Sequence, residues 1–140
     1  MKTILLVEDG ELEVLMIRRA VEVAGLSWSL QMLKDGDQAI EYLSGTGRYA
    51  DRNLFPLPAL VLLDLVIPGH SGHEVLQWIR SRPDLKHLPV IMLTHSFNTA
   101  DAKTAYDLGV SSYLIKPSNV QHMQELLIRI EKDWLEPKAR

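Results

Sequence analysis

The most constraining feature of the sequence is the continuous apolar run LVLL at residues 60–63, which ends at an acidic residue, Asp64. A run of this length and composition is typical of a strand that is buried on both faces of a parallel sheet. A carboxylate at the carboxyl end of such a strand points into the crevice where open α/β sheets bind ligands. The next predicted helix begins at Glu74, and a helix cap sits directly before its helix. We therefore expect a chemical role for Asp64.

Strand-like and helix-like patterns alternate along the whole chain. The predicted strands are 3–7, 27–33, 60–63, 89–93 and 111–115, and the predicted helices are 11–24, 37–43, 74–81, 99–108 and 120–134. Five strand–helix pairs predict an α/β fold with a doubly wound, five-stranded parallel sheet and right-handed crossovers. Strand 27–33 alternates between apolar and polar residues, which favours a half-covered position near the sheet edge.

Helical spacing also predicts which side chains face the core. The inward stripe of the first helix is predicted to be Leu12, Leu15, Met16, Ala20 and Val23, and that of the last helix Val120, Met123, Leu127, Ile130 and Trp134. The helix 99–108 offers mainly Ala102 and Ala105, so we expect it to be the least firmly held. Residues 44–58 are rich in glycine, proline and charge, which predicts a long loop.

Composition excludes several classes of protein. With 140 residues and 46% apolar content, the chain fits one domain over 1–140, with a core from about 2 to 134 and no output domain attached. A net charge of -3 without a basic cluster argues against a nucleic-acid partner. The absence of cysteine excludes thiol chemistry, and the short apolar run before Glu8 is neither a signal peptide nor a membrane span. A cytoplasmic location without membrane contact is the default expectation.

Polar residues follow four of the five predicted strands at their carboxyl ends, which lie along one edge of such a sheet. They are Glu8, Asp9, Asp64, Thr94 and Lys116. Taken singly, Asp9 can be a helix cap, Thr94 a turn cap and Lys116 a solvated loop residue. Their coincidence at strand ends favours one site.

Electrostatics indicates what such a cluster binds. Two carboxylates about 4 Å apart repel by about 4 kcal/mol at the effective dielectric of a protein surface. Oxygen ligands without histidine or cysteine favour a hard cation, Mg²⁺ or Mn²⁺. A cation lets the carboxylate of Asp64 attack an anionic phosphoryl group and become an acyl phosphate. Lys116 and the Thr94 hydroxyl are then placed to bind phosphoryl oxygens.

Four segments, LLVEDG (5–10), LLDLVIPGHSG (62–72), PVIMLT (89–94) and GVSSYLIKP (109–117), together resemble the receiver domains of bacterial two-component response regulators. The resemblance spans residues 2 to about 134 and implies the flavodoxin-like (βα)5 receiver fold. It also implies residue roles. Glu8, Asp9, Asp64 and the Val66 backbone carbonyl would hold Mg²⁺, Asp64 would accept the phosphoryl group of a sensor histidine kinase, and Thr94 and Lys116 would contact that group.

The resemblance further implies a conformational switch. Thr94 is drawn toward the phosphoryl group, Tyr113 turns into the space vacated, and the surface of the last helix–strand–helix changes its preferred partner. The Lys116–Pro117 bond is expected to be cis. Val66, His95 and Ser96 stand at modulating positions: His95 would narrow access to the phosphoryl group, and neither Val66 nor Ser96 suits the orientation of an attacking water. We therefore predict a long phosphoryl lifetime. The other four histidines are predicted to be surface residues.

The loop 44–58, the segment RPDLKHLPV (82–90) and the end Trp134-Leu135 are similar to the small regulators associated with bacterial phytochromes. That similarity implies a phytochrome-type kinase as partner and a homodimer formed through the last helix, with Ile128 and Leu135 as contacts. The downstream partner is expected to be a target protein or a histidine phosphotransfer protein. The protein would not be an enzyme beyond its own phosphorylation and dephosphorylation.

Three other classes of protein share part of this pattern. A phosphorylation-independent interaction module with the receiver fold is the main alternative, because His95 could block phosphotransfer. A haloacid-dehalogenase-like phosphatase needs a second acid two residues after its nucleophile, where this chain has Val66. A flavodoxin-like cofactor domain needs a neutral or basic phosphate loop, whereas residues 8–10 are acidic.

Overall fold

The computed structural model describes residues 1–136, which form one five-stranded sheet covered by five helices. The strands are β1 (Lys2–Val7), β2 (Trp28–Leu33), β3 (Leu60–Leu63), β4 (Val90–Thr94) and β5 (Ser112–Ile115). The helices are α1 (Glu11–Ala24), α2 (Gly36–Ser44), α3 (Gly72–Ser81), α4 (Thr99–Asp107) and α5 (Val120–Ile130). The predicted alternation of strands and helices is confirmed.

All neighbouring strands are parallel, in the order β2-β1-β3-β4-β5. The register aligns Val7 with Leu63 and Thr94 with Ile115, so the chain leaves each strand at the same edge of the sheet. Strand β3 lies in the centre and is fully buried, as its apolar run predicted. β2 occupies an edge, where its alternating pattern placed it. The doubly wound (βα)5 fold is therefore confirmed.

Two apolar layers hold the helices on the sheet. Because successive strand residues point to opposite faces, Leu5 and Val7 belong to the layer beneath α2 and α3. Ile4 and Leu6 belong to the layer beneath α1 and α5. The two layers fix the strand ends between them, which positions the loops that follow the strands.

The predicted inward stripe of α1 is confirmed at Ala20 and at Met16, which is half-buried against the core, and is wrong at its other three positions. The buried residues are Ile17, Ala20 and Val21, whereas Leu12, Leu15 and Val23 are exposed. Both sets have helical spacing, because α1 carries apolar side chains on two faces. The face that packs against the sheet and α5 was decided by tertiary contacts, which leaves Leu12 and Leu15 on the surface near the carboxyl end of β1.

One other side chain predicted to point inward is exposed. Trp134 lies beyond α5 in a π-helical turn, Glu131–Leu135. A π turn adds residues to the helical repeat, so the spacing that buries Met123, Leu127 and Ile130 does not continue to Trp134.

The segment 44–58 is a packed element rather than an open loop. Tyr49, in a short 3₁₀ turn, is buried against Tyr42 and Phe55, with ring centroids 5.0 and 5.1 Å away. The Arg52 guanidinium donates to the carbonyls of Tyr42 at 2.8 Å and Leu43 at 3.0 Å, near the carboxyl end of α2. Aromatic packing and this cap hold the segment against α2.

Helix α3 begins two residues earlier than predicted, at Gly72. Ser71 is its cap: the Ser71 hydroxyl accepts from the Glu74 amide at 3.2 Å, and the Glu74 carboxylate accepts from the Ser71 amide at 2.9 Å. Asp64 is therefore free of a capping role, as expected. A Cβ at Gly72 would lie 2.5 Å from the Asp64 carbonyl oxygen, so only glycine allows this close approach.

Among the helices of residues 1–136, none is long and apolar enough to cross a membrane.

Candidate functional site

Three carboxylates meet at the carboxyl edge of the sheet. Glu8 and Asp9 follow β1, and Asp64 follows β3, the strand beside it. One carboxylate oxygen from each residue lies within 4.8 Å of the other two. Glu8 and Asp64 are buried, whereas Asp9 is exposed. The Gly10 amide donates to Glu8 Oε2 at 3.0 Å, which holds the Glu8 side chain in the cluster.

Lys116 brings a positive charge to the same place. It follows β5, and its buried ammonium group donates to Asp64 Oδ2 at 2.9 Å and to Glu8 Oε1. Its backbone amide donates to the Thr94 carbonyl at 2.9 Å. Burial disfavours the charged amine, but the hydrogen bonds that the ammonium group donates to both carboxylates outweigh burial and raise the pKa of Lys116 above its usual value. Lys116 therefore supplies a permanent positive charge to the site.

The acidic cluster fits a hard divalent cation. Three carboxylates face one ammonium group, and burial raises the pKa of Glu8 even though Lys116 and the Gly10 amide bond to it. All of the clustered donors are oxygen atoms, which is the ligand chemistry of Mg²⁺ and Mn²⁺. Val66 is 73% exposed, and its amide lies 3.4 Å from Asp64 Oδ1. The role of its carbonyl as a metal ligand stays a prediction.

Thr94 is buried at the end of β4, next to the segment that leads into α4. Its hydroxyl oxygen accepts from the Ser96 amide at 3.4 Å, and the Tyr113 hydroxyl donates to the Ser96 carbonyl at 3.1 Å. The two residues predicted to form the switch are therefore connected through Ser96. Tyr113 is half-buried and packs against the apolar layer beneath α2 and α3.

The structure adds residues that the sequence did not single out. The Asp101 carboxylate accepts from the Ser96 hydroxyl at 2.6 Å, and its backbone carbonyl lies 3.0 Å from His73 Nε2. The Tyr106 hydroxyl accepts from the Tyr113 amide at 3.1 Å. His73 is a half-buried surface residue whose ring contacts the backbone of α4. Asp101 lies among the polar residues of a helix, so nothing in the sequence pattern indicated that it contacts the site.

His95 lies at the edge of the site and is largely exposed. Its Nε2 atom is 3.7 Å from Oε1 of Glu13, which belongs to the first turns of α1. Glu13 is a second residue whose place beside the site could not be predicted from the sequence, because acidic residues are common near helix amino termini.

The expected cis bond between Lys116 and Pro117 is wrong for this structure. No peptide bond within residues 1–136 is cis. The trans isomer of a bond before proline is favoured by about 0.5–1 kcal/mol. From the trans backbone the Lys116 amine still reaches both carboxylates.

Comparisons with known proteins agree with this geometry. Residues 4–128 match the family described as the response regulator receiver domain. Response regulator Rcp1 of Synechocystis sp. is 38% identical over 135 residues, which cover 96% of this chain and 90% of that protein.

Two solved structures are similar along nearly the whole chain. The Mn²⁺-bound form of response regulator Rcp1 has a TM-score of 0.85 and 37% identity, over 99% of this chain and 98% of that one. The phosphorylated cyanobacterial phytochrome response regulator RcpA has a TM-score of 0.88 and 36% identity, over 99% and 96%. The acidic cluster and the Mn²⁺-bound relative indicate a divalent-metal site. The chain therefore belongs to the response regulator receiver domains, which signal through phosphorylation in two-component systems with a histidine kinase as partner.

Proposed function

We propose that Asp64 is the residue that accepts the phosphoryl group. The observation that carries this assignment is the buried ammonium of Lys116, which holds Asp64 Oδ2 at 2.9 Å beside the other two carboxylates. Among the hydrogen bonds within residues 1–136, Asp64 Oδ1 has only the 3.4 Å contact with the Val66 amide, so it is the freer oxygen to attack. A bond forms between this oxygen and phosphorus, and the bond from phosphorus to the kinase histidine nitrogen breaks. The imidazole keeps the electron pair.

We assign the metal site to the carboxylates of Glu8, Asp9 and Asp64 with the Val66 carbonyl, and the ion to Mg²⁺ or, in its place, Mn²⁺. When bound, the ion supplies positive charge that reduces the repulsion between the carboxylates and an anionic phosphoryl group. Lys116 and the Thr94 hydroxyl then bind phosphoryl oxygens from the side of β4 and β5.

Signalling follows from the connection between Thr94 and Tyr113. Movement of Thr94 toward the phosphoryl oxygens also moves Ser96. The Ser96 carbonyl accepts a hydrogen bond from the Tyr113 hydroxyl at 3.1 Å, so the movement reaches Tyr113. Ser96 also holds α4 through Asp101. The preferred partner of the surface made by α4, β5 and α5 changes as a result. The half-buried His73 contributes by bonding the Asp101 carbonyl from α3.

The partners we propose are a phytochrome-type sensor histidine kinase upstream and, downstream, a target protein or a histidine phosphotransfer protein. Ile128 and Leu135 would form a homodimer contact; Ile128 is exposed and Leu135 is half-buried. In this proposal the receiver works in the cytoplasm, without nucleic acid or membrane, and its only chemistry is its own phosphorylation and dephosphorylation. Val66, His95 and Ser96 would modulate the lifetime of the phosphoryl group.

The first test is the intact mass of the protein after incubation with acetyl phosphate and Mg²⁺. We expect the wild type to gain one phosphoryl group, and Asp64→Asn or omission of Mg²⁺ to abolish the gain. Asp84→Asn is the matched control, because Asp84 is exposed and lies in the turn after α3. Failure of the folded wild type to gain mass would favour the phosphorylation-independent module.

The second test concerns the metal. Calorimetric titration with Mg²⁺ and with Mn²⁺ should show one site in the wild type and an affinity at least about tenfold weaker in Asp9→Asn. Glu11→Gln removes an exposed charge two residues away and should bind the ion as the wild type does. Equal affinities in Asp9→Asn and the wild type would contradict the assignment.

A further inference from the structure

The loop between β3 and α3 is held against the first turn of α2. The Gly36 amide donates to the Pro68 carbonyl at 3.0 Å. The His70 carbonyl oxygen also packs on Gly36, 2.1 Å from the position that a Cβ atom would take there. Two backbone contacts therefore fix the tip of this loop, residues 68–70, on the amino end of α2.

A pair of side chains joins the same two elements. The Nδ1 atom of His70 contacts Oδ1 of Asp37, which lies in the first turn of α2. The other carboxylate oxygen of Asp37 lies over Gly69, whose φ is 73° and where a Cβ would stand 2.8 Å from Oδ2. The His70 side chain is 49% exposed and that of Asp37 65%. Asp37 therefore contacts two successive residues of the loop tip.

Asp37 is available for this contact because another residue caps α2. The Asp35 carboxylate accepts from the Gln38 amide at 2.7 Å and forms the cap. A second acid, Glu74, also lines the hollow around Gly69 and His70, but its carboxylate belongs to the capping box with Ser71. Both of these acids have capping roles, which leaves Asp37 to bind His70.

The loop carries Val66 between two fixed points. At its base, the Gly72 amide donates to the Leu65 carbonyl at 2.9 Å. At its tip, Pro68 and His70 are held by α2. Each residue between these points has two rotatable backbone angles. The direction of the Val66 carbonyl therefore depends on how the tip is held as well as on the bond at the base.

We propose that Asp37 and His70 are positioning residues for the metal site. Their contact holds the loop so that the Val66 carbonyl faces the three carboxylates at the edge of the sheet. The inference rests on the proposed function, which assigns this carbonyl to the ion. Neither side chain binds the ion itself. Residues that orient the ligands of a metal without touching it change the affinity of the site when they are replaced.

The experiment is a calorimetric titration of the full chain with Mg²⁺ and with Mn²⁺, for the wild type, Asp37→Ala, His70→Ala and the double variant. Each single variant should bind the ions about two- to fivefold more weakly, the range that the stabilisation by an exposed ion pair allows. The double variant should bind no more weakly than the weaker single variant, because both changes remove the same contact. His70→Asn, whose amide nitrogen takes the place of Nδ1, should bind nearly as the wild type does.

Charge alone predicts a different result. Asp37→Ala removes a negative charge, whereas His70→Ala removes a group that is positive when protonated. Electrostatics through space would therefore weaken cation binding in the first variant, and would strengthen it or leave it unchanged in the second. Weaker binding in both variants is specific to positioning. A role in fold stability alone would lower the free energy of unfolding without metal and leave both affinities unchanged.

Amide spectra locate the effect within the site. Mg²⁺ should shift the signals of Glu8, Asp9 and residues 65–70 in the wild type. At saturating Mg²⁺, the shifts over 65–70 should be smaller in His70→Ala, whereas those of Glu8 and Asp9 should equal the wild type. Asp84→Ala and His87→Ala, exposed changes in the segment after α3, are the matched controls and should bind the ion as the wild type does. Circular dichroism verifies the folding of every variant.

The outcomes separate this inference from the proposed function. Unchanged affinity in both single variants, tighter binding in His70→Ala, or losses that multiply in the double variant would overturn the positioning role and leave the metal assignment standing. Failure of the folded wild type to bind Mg²⁺ or Mn²⁺ would overturn the metal assignment, and the positioning role with it.

Discussion

Lys116 Nζ lies 2.9 Å from Asp64 Oδ2 and also donates to the Glu8 carboxylate, so one ammonium group compensates two buried acids. The strand that ends at Asp64 and the strand before Lys116 are separated in the sheet by β4. The contact therefore spans the carboxyl edge of the sheet and ties β5 to its centre. The Lys116 ammonium group, which we propose binds phosphoryl oxygens, therefore also stabilises the carboxyl edge of the sheet.

Replacement of Lys116 by methionine should destabilise the fold by about 3 kcal/mol, because it leaves Glu8 and Asp64 buried without their cation. Saturating Mg²⁺ should restore part of the loss, since the ion would compensate the same carboxylates. Urea unfolding with and without Mg²⁺ measures both effects. Lys86→Met, an exposed change, is the control. A Lys116→Met variant as stable as the wild type in the absence of metal would show that the acids are already solvated.

Stability should depend on pH through Glu74. Its hydrogen bonds with the backbone and side chain of Ser71 lower the pKa of Glu74 below 4.5. A carboxyl whose pKa is lowered by folding contributes its stabilisation above pH 4.5 and loses it as the pH falls through the lowered value. The stability difference between wild type and Glu74→Gln should therefore shrink below pH 4.5.

Urea unfolding at pH 3 to 6 measures this difference. Ser71→Ala, which removes the hydroxyl of the cap, should cost about 1 kcal/mol at neutral pH. A difference between wild type and Glu74→Gln that stays constant down to pH 3 would contradict the capping role of the ionised carboxylate.

The path from Thr94 to Tyr113 should be visible in amide spectra. A phosphoryl analogue such as beryllofluoride, bound at Asp64, should shift the amide signals of residues 94–116 in the wild type. Tyr113→Phe loses the bond to the Ser96 carbonyl, worth about 1 kcal/mol, and should show smaller shifts in 112–115. Asp101→Asn should act in the same direction, because it weakens the Ser96 contact.

The control for these spectra is Thr104→Ala, an exposed change on α4. Its shifts should equal those of the wild type. Unchanged signals over 94–116 in the wild type, with the analogue bound, would refute the coupling between the site and Tyr113.

The phosphoryl group should decay faster in Val66→Asn than in the wild type. The Val66 side chain is exposed beside Asp64 and offers no polar atom to orient an attacking water, whereas an amide does. An increase of about tenfold is expected, below the usual contribution of a positioned proton-transfer group. The loss of phosphoprotein with time, followed by intact mass, gives the rate. Equal decay in both proteins would show that Val66 does not set the lifetime.

Local patterns in the sequence determined the five strand–helix pairs and the strand ends. The run of four apolar residues at 60–63 predicted a central buried strand because only a parallel sheet covered on both faces buries every side chain of such a run. Once the strands are parallel, their carboxyl ends share one edge. The sequence alone therefore predicts that Glu8, Asp9, Asp64 and Lys116 meet, and the structure brings them together.

Where a helix carries apolar side chains on two faces, only the tertiary structure decided which face points inward. Leu12 and Ile17 both belong to apolar stripes with helical spacing, and packing against α5 and the sheet buried the second alone. Trp134 left its predicted stripe because a π turn changed the helical phase. Aromatic packing among Tyr42, Tyr49 and Phe55 turned a segment with a loop-like composition into a packed element.

The sequence determined which side chains lie at the site, because it determines which residue follows the end of each strand. The contacts of Glu13 with His95 and of Asp101 with Ser96 depended on how helices α1 and α4 lie against the loops. The spatial neighbours of a polar residue on a helix cannot be predicted from the local sequence, because the rotation of the helix on the sheet decides which residues it contacts. The chemistry of the site was therefore readable from the sequence, whereas the residues that surround it were placed by packing.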